Sequence, residues 1–396
     1  MRFPVIAFLS FFFTVSLASA RDSSEPDTLD NRLSLNIKSM NFFRNNEYFN
    51  PIKASDFLLG SELPWYVDKS MWIEGYTLTG FFFRPELVYN VSSKITLRAG
   101  GHFLKYWGTD RFSQARPVFS TSVRLSKNTE LTLGSLSGSD RHKMYDPHFN
   151  RERHYTDYAE DGLQIQTTSD HFFNDAWISW ENFIFRGDNE REIFNFGESL
   201  RYVTQPLAEF LNFEIPVQIQ FKHFGGQISD YNEHVTTFFN FAGGLRANFD
   251  FAGRRFGSAG LEYTRFYNKV IPGRETYIIK EGHADWWRAF YNYKILNITA
   301  GYWHANDFYA PNGNPLYASV YVFDSDYSIH ERKLLTGEAR ISVLPHGSLE
   351  LYFGIETFYD IPDKRLDHAA TLHLNFEKLF RLYKPNSRND TNRMPL

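Results

Sequence analysis

Between Phe239 and Phe251 the chain alternates without a break. Phe239, Phe241, Gly243, Leu245, Ala247, Phe249 and Phe251 take one set of positions, and Asn240, Ala242, Gly244, Arg246, Asn248 and Asp250 the other. Successive side chains of a strand point to opposite faces, so this stretch has one apolar and one mixed, polar face. Soluble strands usually end after about five or six residues. A pattern kept up this long suits a tilted bilayer crossing, with lipid on one side and water on the other.

Composition agrees. The chain has 40 Phe, 23 Tyr and 8 Trp, an aromatic share of 18% that suits strands and membrane-interface belts. It opens "MRFPVIAFLSFFFTVSLASA", with Arg2 before an apolar run and Ala18-Ser19-Ala20 as a small-residue cleavage signal, so residues 1–20 read as an export signal. After Ala20 no apolar run is long enough for a spanning helix, and the mean hydropathy is −0.42. Cysteine is absent, which excludes a disulfide framework and a thiolate metal site. A net charge of −4 offers no basic surface for nucleic acid.

The same alternation recurs at about 32–42, 79–89, 94–107, 116–126, 129–138, 161–168, 175–186, 193–204, 211–225, 235–251, 256–268, 283–294, 296–306, 331–344, 347–360 and 366–380, about sixteen segments in all. Short links such as "NVSS" (90–93), "SKN" (126–128) and "PHG" (345–347) take turns with long ones such as 43–78, 139–160 and 307–330. Short-long alternation is what a barrel threaded up and down through one membrane produces. The expected fold is therefore an all-β, up-and-down antiparallel transmembrane barrel of about sixteen strands over residues 21–380, with a polar tail at 381–396. Tyr106, Trp107, Trp286, Trp287, Tyr302 and Trp303 fall where an outer aromatic girdle would lie, and Tyr89, Trp177 and Tyr293 where an inner one would.

The mature chain resembles the outer-membrane β-barrels of Gram-negative bacteria, and within them the porin-like barrels of the Bacteroidetes. The resemblance rests on the signal peptide, the strand pattern, the aromatic load and a final strand, "ATLHLNFEKLF", that ends on Phe380. It implies outer-membrane localisation, partners in membrane lipid and the barrel-assembly machinery, and, by analogy, a homo-oligomer.

By alternation the lumen would be lined by Arg84, Glu86, Arg98, Arg124, Glu214, Lys222, Arg246, Asp250, Glu262, Arg288, Glu338, Arg340, Glu350 and Glu356. Two arrangements fit them: neighbouring charges that neutralise one another across strands, or a transverse field with Arg on one wall and Glu on the other. The primary functional expectation is a water-filled, weakly selective channel for small polar solutes, not an enzyme, with no cofactor and no metal. The long link 43–78 is a candidate plug. The charged stretch 139–160 reads as a solvated loop, its His142, His148 and His154 matching no established ligand spacing. Two alternatives stand beside the channel. One is a barrel-embedded lipid hydrolase using His223, on the lipid-facing register near a strand top, with Ser229 as nucleophile; His304 is similarly placed. The other is a non-conducting scaffold or uptake-complex partner.

Overall fold

The computed structural model describes residues 31–47, 75–138, 142–226, 235–251, 256–271, 279–320, 328–344 and 348–383. Alternating sequence becomes strand throughout: β1 (Arg32–Glu47), β2 (Thr77–Asn90), β3 (Ile95–Tyr106), β4 (Gln114–Arg124), β5 (Thr129–Ser135), β6 (Asp161–Thr168), β7 (Phe172–Asn182), β8 (Ile193–Val203), β9 (Leu211–Phe224), β10 (Thr236–Asp250), β11 (Ser258–Ile271), β12 (Glu281–Tyr293), β13 (Leu296–Asn306), β14 (Glu331–Ser342), β15 (Leu349–Asp360) and β16 (Arg365–Tyr383). Each pairs antiparallel with its sequence neighbours, and β1 pairs with β16 to close the barrel. Closure leaves no unpaired edge, which is how strands satisfy their backbone groups in hydrocarbon. This is a closed, all-antiparallel β-barrel of sixteen strands, as the alternation predicts. The leader, most of 43–78 and the end of the tail lie outside the described residues.

Tight turns close one rim. Leu125 N–H reaches Thr129 O, and β12 passes to β13 through Lys294 and Ile295 alone, with Lys294 in the left-handed region (φ 49°). The longer connections gather at the opposite rim, which by the threading of such barrels is the extracellular one. On β10, Asn240 and Ala242 are buried inside while Leu245 is exposed outside. On β15 half-buried Glu350 and Glu356 take the lumenal parity and exposed Leu349, Phe353 and Ile355 the outward one.

Trp287 and Tyr302 face outward and stack at 5.8 Å, as a girdle requires. Trp177, Trp286 and Trp303 do not. They point into the lumen and are buried there, because each falls on the inward parity of its strand.

What buries them is the connection from β5 to β6. Its described residues, 136–138 and 142–160, turn inward from the extracellular rim, include one helical turn, α1 (Arg153–Thr156), and pack with residues 307–320 across the upper lumen. Leu136, Phe149 and Trp177 form one apolar cluster, and Phe308, Leu316 and Tyr317 join Phe266, Trp286 and Trp303 in another. The connections tie to each other through Asn150 N–H to Asn312 O and Asn314 Nδ2 to Asp146 Oδ2. The expectation of a solvated loop over 139–160 therefore fails. Its charges meet complementary lumenal charges, so burial leaves few of them alone.

Candidate functional site

The lumenal charges are arranged as neighbouring pairs. Arg84 bonds Glu86 at 2.5 Å, Arg201 bonds Glu214 at 2.9 Å and Arg288 bonds Glu262 at 2.5 Å, while Arg340 pairs with Glu350. Glu356 takes Arg44 from β1 at 2.9 Å, and Glu338 takes Arg151 from the inserted connection at 2.9 Å. Lys222 holds Glu181 and donates to Asn312 Oδ1 at 2.9 Å. Arg98 donates to Ser122, Arg246 sits 3.7 Å above the Phe290 ring, and Arg124 and Asp250 stand at the periplasmic ends of β4 and β10. Mutual neutralisation, not a transverse field, describes this wall.

Burial separates these residues. Glu214 and Glu262 are buried, whereas Arg246, which faces both in register, and Arg340 and Glu350 remain partly exposed. The inserted connections pack across the extracellular half of the lumen. A polar recess of about 140 Å³ is lined by Tyr145, Arg151, Trp286, Arg288 and Glu338 among others.

The insertion is anchored by a doubly bonded histidine. His142 Nδ1 lies 2.9 Å from Asp175 Oδ2 and its Nε2 2.7 Å from Glu160 Oε2, with the ring stacked 3.6 Å from Trp177. Burial alone would lower its pKa, but Glu160 and Asp175 outweigh burial and raise it to about 9. His148, inserted 4.9 Å from Phe266 and 6.3 Å from Phe308, has burial outweighing the opposing effect of Gln218 and drops to about 3. The three histidines 142, 148 and 154 do not converge on one point, and among the described residues no group of His, Asp or Glu is arranged to hold a metal ion.

A different arrangement sits on the outer surface at the extracellular rim. His223 occupies the outward parity near the top of β9, and its register partner on β10 is Thr237. His223 Nδ1 lies 2.9 Å from Thr237 Oγ1. Phe194 of β8 stacks on the imidazole at 4.6 Å, and the charge of Glu192 acts on the same ring. Glu192 is itself held by Trp180 Nε1 at 3.0 Å. In the tautomer protonated on Nε2, Nδ1 accepts the Thr237 hydroxyl, the pairing that activates an alcohol for attack. Ser229 lies outside the described residues, and sequence reasoning missed Thr237. Fourteen residues separate it from His223, a distance that only the hairpin register closes. His304 Nε2 lies 2.9 Å from Glu331 Oε1, a carboxylate and not a hydroxyl.

A family model described as lipid A 3'-O-deacylase-type matches residues 22–385. The chain belongs to that family. Membership overturns the expectation of a barrel without enzymatic function, which rested on the lack of a catalytic motif; a pair brought together by cross-strand register leaves no motif to read. No curated protein matches the chain. Similar solved structures include OprD of Pseudomonas aeruginosa (11% identity, covering 92% of this chain and 100% of that one, TM-score 0.47). A BenF-like porin from Pseudomonas fluorescens Pf-5 is 10% identical over 88% of this chain and 99% of that one, at TM-score 0.48. Pseudomonas aeruginosa OpdK with vanillate is 9% identical over the same shares, also at TM-score 0.48.

Proposed function

We propose that the protein hydrolyses acyl esters of outer-leaflet lipid, with lipid A as the substrate its family points to. The observation that carries this reading is the His223–Thr237 pair, a base and a hydroxyl in hydrogen-bond contact on the one face of the barrel that lipid reaches. His223 takes the hydroxyl proton as Thr237 Oγ1 attacks the ester carbonyl carbon. The proton then passes to the departing alcohol oxygen, and water releases the fatty acid by the same route in reverse. Glu192 stabilises the imidazolium formed in between. Purified protein in detergent micelles is expected to release fatty acid from hexaacylated lipid A, with or without calcium. His223→Ala and Thr237→Ala should each lower the rate at least 100-fold while leaving the heat-modifiable gel mobility of the barrel intact. A wild-type protein that releases nothing, or a His223→Ala variant that keeps its rate, overturns the assignment.

A second reading, passage of small polar solutes, is supported by the charge-lined lumenal wall, on which Arg246, Arg340 and Glu350 stay partly exposed. It requires the insertion to move, because residues 142–160 and 307–320 pack across the lumen. Planar bilayers are expected to show no steady conductance until the insertion is loosened, for instance by His142→Ala. Discrete steps from the wild type at once would make the channel the resting state.

A further inference from the structure

The barrel wall has a gap. β5 and β6 are the two shortest strands, at 7 and 8 residues, and they sit side by side. β4 pairs with β5 only from Ser120 (opposite Gly134) to Arg124, so its residues 114–119 rise above the end of that ladder. On the other side β7 pairs with β6 up to Ser179, opposite Gly162, and continues past the end of β6 to Asn182, paired there with β8. Between these two taller strands the extracellular rim is notched. The back of the notch is the returning end of the insertion, fixed by Gln114 Nε2 to Thr156 O at 2.7 Å and Arg116 Nη1 to Ala159 O at 3.1 Å. Its flanks carry apolar side chains turned outward, Phe119 at 62% exposure and Phe183 at 62%, which sets it at the level of the outer leaflet.

The notch holds a cavity of about 170 Å³ lined by Arg116, Arg153, Asp157, Glu160, Ser179 and Glu181, with Trp180 beside it. Among the described residues, three of the lining residues carry a buried polar atom without a hydrogen-bond partner: Ser179 Oγ, Glu160 Oε1 and Arg153 Nε. Ser179 is 2% exposed and Glu160 5%. A hydroxyl, a carboxylate oxygen and a guanidinium N–H left open around one cavity call for a ligand that donates and accepts at once. A phosphate would face three carboxylates there. A sugar ring meets the demand through its hydroxyls, and the half-exposed Trp180 indole offers an apolar face beside them.

The notch is also continuous with the rim pair. Trp180 faces Phe194 across β7 and β8, and Phe194 faces His223 across β8 and β9, with ring centroids 5.9 Å and 4.6 Å apart. Two strand spacings make about 10 Å. We infer that the notch between β4 and β7 is a saccharide subsite that takes the sugar headgroup of an outer-leaflet glycolipid and lays its ester-linked chain across Phe194 to His223. The inference rests on the reading of His223 and Thr237 as the ester-cleaving pair, but binding can be measured apart from cleavage.

The test uses full-length protein in micelles with hexaacylated lipid A as the glycolipid and phosphatidylethanolamine as a lipid without sugar. Ser179→Ala removes a hydroxyl that has no protein partner, so the fold loses nothing with it, and Arg116→Ala widens the cavity from the other flank. Each is expected to weaken equilibrium binding of lipid A at least five-fold and to raise KM with kcat within two-fold, while phosphatidylethanolamine turnover stays unchanged. His223→Ala should bind lipid A as tightly as the wild type. Should Arg116→Ala fail to fold, Ser179→Ala decides alone. Lipid A bound equally by wild type and Ser179→Ala, or no more tightly than phosphatidylethanolamine, overturns the subsite. Tight, Ser179-dependent binding without any cleavage upholds the subsite and removes the hydrolase.

Discussion

His142 and His148 lie six residues apart on one inserted connection, and their surroundings drive their protonation in opposite directions. His142 carries its proton between two carboxylates, and its folded pKa of about 9 exceeds the ordinary 6.5. The stability it contributes is therefore complete below about pH 6.5 and is lost as pH rises through 9. His148 is held neutral in an aromatic cluster with a folded pKa of about 3. Its contribution is complete above about pH 6.5 and is lost as pH falls toward 3. Stability of the packed lumen should thus peak near neutrality and decline on both sides, measured as the apparent Tm in detergent at pH 4, 7 and 9.5. His148→Phe should flatten the acid limb with little loss at pH 7. His142→Ala should flatten the alkaline limb and cost about 3–5 kcal/mol at pH 7, because it strands Glu160 and Asp175 without their cation. Unchanged limbs in both variants would mean that neither imidazole sets the pH response.

At the scale of elements, the strands were legible and the insertion was not, for one physical reason. A strand of a barrel records its two solvents in its own alternation, so Phe239 to Phe251 or Leu349 to Asp360 can be read locally. The connection 136–160 records nothing of the kind. It is rich in charge, as a solvated loop would be, and what makes it an interior element lies far away in sequence. Arg44 and Asn46 on β1 hold Glu152, Gln218 on β9 accepts the Tyr145 N–H, Glu262 on β11 accepts the Tyr145 hydroxyl, and His373 on β16 meets Tyr155. The shortness of β5 was not visible, since the alternation runs on to 138 whereas the strand stops at Ser135. Gly134 shows how that end is built. Its φ of 97° and its approach to Phe119 O leave no room for a side chain where the ladder stops. The rim pair was half legible. His223 stood out as a histidine on a lipid-facing register, whereas the hydroxyl beside it required the β9–β10 pairing.

For the whole molecule, the decisive property is that two inserted connections pack across the extracellular half of the lumen. Access to the lumenal face is therefore expected to differ along the membrane normal. On β15 Glu350 is half-buried near the periplasmic end, Leu351 and Phe353 face lipid, and Phe358, near the extracellular end, is packed against Tyr317 of the 307–320 connection. The chain has no native cysteine, so single cysteines report cleanly. With cysteines at 349–358 in liposomes, a charged, water-soluble thiol reagent should modify position 350 quickly from the periplasmic side and spare 351 and 353. Position 358 should react slowly from either side, despite its lumenal parity, until His142→Ala loosens the insertion. An open pore would make every even position fast from both sides, and a register slipped by one residue would make the odd positions fast instead. Fast labelling at 350 together with protection at 358 is the pattern that only a barrel closed from above can give.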